Sequence, residues 1–148
     1  MAKNRFKDAQ ARRESGGFVP LPFVVLRSRG FAELSAYAVK LLNDLLAQYR
    51  GDNNGDLCAA WTIMQRRGWK SKATLSKSLK ELLAGNWVEV TRQGGRHKAT
   101  LYALTFYSID DCKGKLDVRA TSSPTGGWRK NEPISPLPKL KVVSRYVG

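Results

Sequence analysis

Between Ser71 and Phe106 the period of the apolar residues changes once, from helical to alternating, and nothing else in the chain restricts its fold as much. Leu75, Leu79, Leu82 and Leu83 fall on one face of a helix that Ser71 can cap and that runs to Ala84. Gly85 follows where a left-handed helix terminator belongs. The next runs, WVEVTR and ATLYALTF, are rich in β-branched and aromatic residues and read as strands. Between them, Gln93-Gly94-Gly95-Arg96 supplies a turn tolerant of positive φ. A helix followed at once by a hairpin implies an α+β fold.

The preceding sequence adds helices to this unit. In FVPLPFVVL, Pro22 can open a short helical turn with Phe23 and Leu26 facing inward. Ser35 is the N-cap of a helix with apolar residues at Val39, Leu42, Leu45, Leu46 and Tyr49, ended by Gly51. DNNGDL is a turn. Its Asp52, Asn54 and Asp56 are spaced as in a calcium loop, but the glycine comes too early and no glutamate closes it. Leu57-Cys58 reads as a short strand with Cys58 buried beside Leu57, and AAWTIMQRR as a helix ending before Gly68. Trp61, Trp69 and Trp87 read as core. The domain therefore spans 18–110. It is preceded by a flexible basic arm, 1–17, ending at Gly16-Gly17, and followed by a basic, Pro-rich tail, 111–148. The tail shows no sustained periodicity; it either wraps on the domain or stays disordered alone, with Trp128, Val142, Val143 and Tyr146 as apolar anchors.

Charge selects the partner. The net charge is +14 with a pI near 10.2, which points to nucleic acid, an anionic membrane surface or an acidic protein. Residues 66–98 alone hold nine basic side chains against two acidic ones, so the helix and the hairpin carry much of it. Opposite the leucines, the helix shows Ala73, Ser76, Lys77 and Lys80, with Lys70, Ser71 and Lys72 at its start. Small, hydroxyl and basic residues suit the DNA major groove, where bulky apolar groups obstruct. A helix N-terminus adds partial positive charge for a phosphate. Arg92, Arg96, His97 and Lys98 cluster around the hairpin glycines, where arginines can bind phosphates or a narrow minor groove.

Helix, short strand, helix, tight turn, helix and basic glycine hairpin resemble, in that order, the winged helix-turn-helix family of DNA-binding proteins over roughly residues 35–107. The resemblance implies a three-helix core with a two-stranded β-hairpin wing. Ser71–Ala84 would be the recognition helix and Gln93–Lys98 the wing. NNGDL, RGW, the TL of the third helix, TRQGGR and LYALT are also similar to helix-turn-helix proteins of bacterial phages and plasmids. This implies double-stranded DNA as partner and a role in transcription regulation or DNA replication of a mobile element. Winged helices also dock proteins, so the rival reading is an interaction module, such as a phage-encoded inhibitor. A homodimer would form through the first long helix or the tail, and the tail is also a candidate contact for a protein partner. RNA binding is disfavoured, because no aromatic motif falls on an exposed sheet face.

Enzyme chemistry finds little footing. His97 is the sole histidine, and neither a phosphate-cradling glycine loop nor a nucleophile elbow occurs. Cys58 and Cys112 are too few and too far apart for a disulfide framework or a zinc site, and read as reduced cytoplasmic thiols. No catalytic residue, metal or cofactor is expected. The apolar runs are too short to span a membrane. The first residues lack the apolar centre of a secretory signal, and Asp8 and Glu14 argue against a transit peptide.

Overall fold

The computed structural model describes residues 2–132, with side-chain surroundings from Arg5 onward. Among them, helix α1 (Ala2–Ala11) and two short turns, α2 (Phe23–Leu26) and α3 (Arg29–Ala32), precede α4 (Ala36–Leu46). Strand β1 (Leu57–Cys58), helix α5 (Trp61–Met64, continued as a 3-10 turn to Arg67) and α6 (Lys72–Ala84) follow, then β2 (Val88–Arg92) and β3 (Leu101–Leu104). The described strands form one antiparallel sheet in the order β1-β3-β2.

The helices form where the sequence offers a cap and an apolar stripe. Ser35 accepts from the Ala38 N–H and Ser71 from the Thr74 N–H, so α4 and α6 both start on side-chain caps, each worth about 1 kcal/mol. Leu41, Leu42, Leu45 and Leu46 of α4 and Leu75 and Leu82 of α6 are buried in a common core. Each such leucine stabilises the fold by roughly 2 kcal/mol. One carboxylate joins the two helices as well: Glu81 of α6 accepts from both the N–H and the hydroxyl of Ser35 (2.9 and 2.7 Å), capping α4 from its neighbour. Asp44 plays the same part for the turn between α5 and α6. It is buried and accepts from Lys40 (2.9 Å), Arg67 (3.1 Å) and Trp69 Nε1 (2.7 Å).

The sheet explains why LYAL is apolar throughout. β3 lies between β1 and β2, and all four of its residues are buried, as in a strand covered on both faces. Asn54 fastens its far end. Its Nδ2 donates to the carbonyls of Leu104, Tyr107 and Ser108, while its Oδ1 accepts from the Leu104 N–H. The outer edge of β1 is paired by a side chain: the Gln48 amide donates to Cys58 O and accepts from Cys58 N.

Several expectations are corrected in detail. The arm is helical over Ala2–Ala11, a stretch without glycine, proline or β-branched residues. In α2, which does start after Pro22, the buried residue is Val25, while Phe23 and Leu26 face solvent. α4 ends at Leu46 rather than at Gly51; Gln48 and Tyr49 have left the helix, Gln48 to serve the edge of β1. Cys58 is only half-buried. Gly85 is not the left-handed residue after α6; Asn86 is, with φ 56. Gly85 is required for a different reason: a Cβ there would stand 2.8 Å from Trp87 Cδ1.

The tail, through Glu132, wraps on the domain. Asp117 N donates to Thr91 O, Thr121 N to Ile109 O and Gly126 N to Thr105 O. Trp128 is buried and stacks on Trp87 with centroids 5.8 Å apart, and Phe31 meets Trp87 edge-on. Glu132 then accepts from the N–H groups of Arg29 and Gly30. Val142, Val143 and Tyr146 lie outside the described residues.

Candidate nucleic-acid interface

α6 turns its leucines and Ser78 inward, which leaves a ridge of exposed side chains on the other side: Ala73, Ser76, Lys77 and Lys80. Lys70, Ser71 and Lys72 are exposed at the start of the helix. The Ser71 hydroxyl is engaged as the cap, and the Lys72 ammonium sits 5.9 Å from the Trp61 ring centre. Among the described residues none of these lysines pairs with a carboxylate. Glu81, the acidic residue of α6, is held at Ser35 and lines the same depression as Ala73 and Lys77, with its carboxylate spent on the α4 cap.

The hairpin is closed by the pair Gly95 and Lys98, whose N–H and C=O groups bond reciprocally (2.9 and 3.3 Å), so Arg96 and His97 form its tip. Arg96, His97 and Lys98 are exposed. The two glycines do not use the positive φ that they would tolerate. Gly94 is needed for close approach, since a Cβ there would lie 2.5 Å from Lys98 O and 2.7 Å from Thr100 Oγ1. Arg92 stands apart from the exposed cluster. It is half-buried beside the bulge between Val90 and Arg92, and its Nη2 donates across the hairpin to Ala99 O (2.9 Å).

Depressions flank the ridge on both sides. Toward α4, one of ≈ 480 Å³ is lined by Ser35, Tyr37, Ala73, Thr74 and Lys77, and a second of ≈ 270 Å³ by Tyr37, Lys40, Lys70 and Ser71. Toward the hairpin, one of ≈ 200 Å³ lies among Ala60, Leu79, Ala99 and Thr100. Tyr37 is the residue that sequence reasoning missed. Its ring is exposed beside Trp69 (5.9 Å between centroids) and faces both depressions toward α4. The available signal was a large aromatic two residues after the cap at Ser35, off the leucine face.

Other reactive groups point elsewhere. Burial, reinforced by Asp56 and Asp110, pushes the Cys112 thiol up, which keeps it protonated and a poor nucleophile at neutral pH. Among the described residues no three His, Cys, Asp or Glu side chains are grouped to hold a metal ion. No helix of the described residues is long and apolar enough to cross a membrane. No family model, curated protein or solved structure gives a significant match to this chain.

Proposed function

We propose that this chain is a winged helix-turn-helix protein that binds double-stranded DNA and catalyses no reaction. The carrying observation is the α6 ridge, where small residues and lysines without a carboxylate partner among the described residues share one exposed face beside a hairpin tipped by Arg96, His97 and Lys98. Ala73 and Ser76 leave room for base edges, and Lys77 and Lys80 reach guanine acceptors or phosphates. The hairpin then anchors the phosphate backbone or the minor groove beside it. The order α4, β1, α5, α6, β2, β3 and the sheet order β1-β3-β2 support the winged reading of the fold. Tyr37 and Lys70 on the α4 side supply a second wall for phosphates.

Its role in the cell, on this reading, is that of a transcriptional regulator or replication-associated factor of a bacterial mobile element. The experiment is an electrophoretic shift with random duplex, the duplex upstream of its own coding sequence, and single strands. Duplex is expected to bind, and Lys77→Glu with Lys80→Glu to weaken binding at unchanged thermal stability. Equal binding by that variant contradicts the assignment of the ridge.

A further inference from the structure

Exposed large apolar side chains are concentrated in one short stretch before α4. Phe18 and Phe23 are 67% and 69% exposed, and Val19, Val24 and Leu26 are exposed with them. The α2–α3 region packs on the far end of α6, where Phe31 meets Trp87 and Gly30 binds Glu132, so it does not adjoin the hairpin tip. Scattered exposed leucines need no explanation; five large apolar residues within nine positions do.

The two phenylalanines are decorated alike. The Arg13 guanidinium lies 4.4 Å from the Phe18 ring centre and that of Arg27 lies 4.3 Å from the Phe23 ring centre. Stacking on a ring holds a guanidinium flat with its N–H groups facing outward, the geometry that grips a carboxylate; Arg13 gives one of them, on Nη1, to Ala9 O (3.1 Å) and keeps the others. Arg29 is paired with Glu33 (2.9 Å), which leaves Arg12, Arg13 and Arg27 against one carboxylate, Glu14. The stretch is thus apolar with a cationic rim.

We propose that this strip docks a protein segment that is apolar on one side and acidic on the other, leaving the DNA face free. Charge excludes the nearer candidates. A second copy brings the same arginines into contact with these, and residues 133–148 carry Lys139, Lys141 and Arg145 with no Asp or Glu. An anionic bilayer would meet the same arginines and apolar residues, and binding to phosphatidylserine vesicles is the outcome that separates it from a protein segment.

A displayed library of random peptides, selected on the full chain, tests this. The selected peptides are expected to combine Leu, Phe or Trp with Asp or Glu. They should lose about tenfold or more in affinity for Phe18→Ser with Phe23→Ser, as expected when anchors are removed. Arg13→Gln with Arg27→Gln should lose a similar factor, and replacing the acidic residues of a selected peptide by their amides should reproduce that loss. The Phe18/Phe23 variant should keep its thermal stability and its duplex affinity, which separates this surface from the DNA face. Peptides without acidic residues, or binding unchanged in both variants, overturn the proposal. So does a Phe18/Phe23 variant that instead loses self-association in sedimentation or loses binding to phosphatidylserine vesicles.

Discussion

The corner around Trp87 and the ridge of α6 sit on the same helix–strand unit and are built on opposite terms. At the corner Trp87 and Trp128 are nearly inaccessible, and the polar groups beside them are partnered: Asn131 donates to Gly85 O and Thr105 Oγ1 to Asn86 O. On the ridge, Lys77 and Lys80 touch no carboxylate among the described residues. Stability requires the first arrangement and gains nothing from the second, since clustered like charges repel. The fold neither needs nor neutralises this face, and the proposed function assigns it to a polyanion.

The contrast breaks most visibly at the tail. Trp128→Ala is expected to cost about 4 kcal/mol in urea unfolding, the usual loss for a buried tryptophan. A chain stopped at residue 110 loses in addition the bonds that Gly126 and Asn131 make to Thr105 and Gly85, and should be destabilised further. A truncated chain as stable as the whole would show that the tail only rests on the core. Asn54→Ala comes next, at about 3 kcal/mol, because it strands the Leu104 carbonyl and N–H inside the sheet. The same unfolding experiment measures it, and a loss below that of a surface substitution would mean that water replaces the amide.

Asp44 tests a smaller and pH-dependent effect. Burial tends to push this carboxyl up, but hydrogen bonds from Lys40, Trp69 and Arg67 outweigh it and hold the carboxyl below its ordinary value. A folded value below the unfolded one, about 3.9, gives stability that is complete above that pH and lost as pH falls through the lowered folded value. Asp44→Asn is expected to lose about 2 kcal/mol at neutral pH and to show a shallower decline between about pH 5 and 3 than the parent chain. Parallel pH profiles would assign the acid sensitivity to another group.

Legibility follows the range of the forces involved. Caps at Ser35 and Ser71 and the leucine face of α6 depend on neighbours within one helical turn, so the sequence displays them. The exposure of Ala73, Ser76, Lys77 and Lys80 follows from the same periodicity. What escapes depends on distant partners. Asn54 reads as a turn residue because its acceptors lie about fifty positions away. Gly85 reads as a helix terminator because the indole that demands it approaches only after the chain has turned. Gln48 leaves its helix for an edge of β1 that no local pattern announces. Arg92 reads as a surface cation, and only the bulge turns it back onto Ala99.

Ridge and hairpin substitutions should have the smallest effect on stability and the largest on binding. Lys77→Glu with Lys80→Glu, and Arg96→Ala with Lys98→Ala, are each expected to change unfolding free energy by no more than about 0.5 kcal/mol. The most direct test of the central claim is duplex affinity measured across several salt concentrations for the parent chain and these two variants. If ridge and hairpin meet phosphates, the hairpin variant binds cognate and random duplexes more weakly by similar factors. Its logarithmic salt slope then flattens by about 0.9 for each phosphate that is no longer neutralised. The ridge variant should also weaken duplex binding. Parent and variant curves that coincide at every salt concentration would contradict the account and leave the basic face without DNA as its partner.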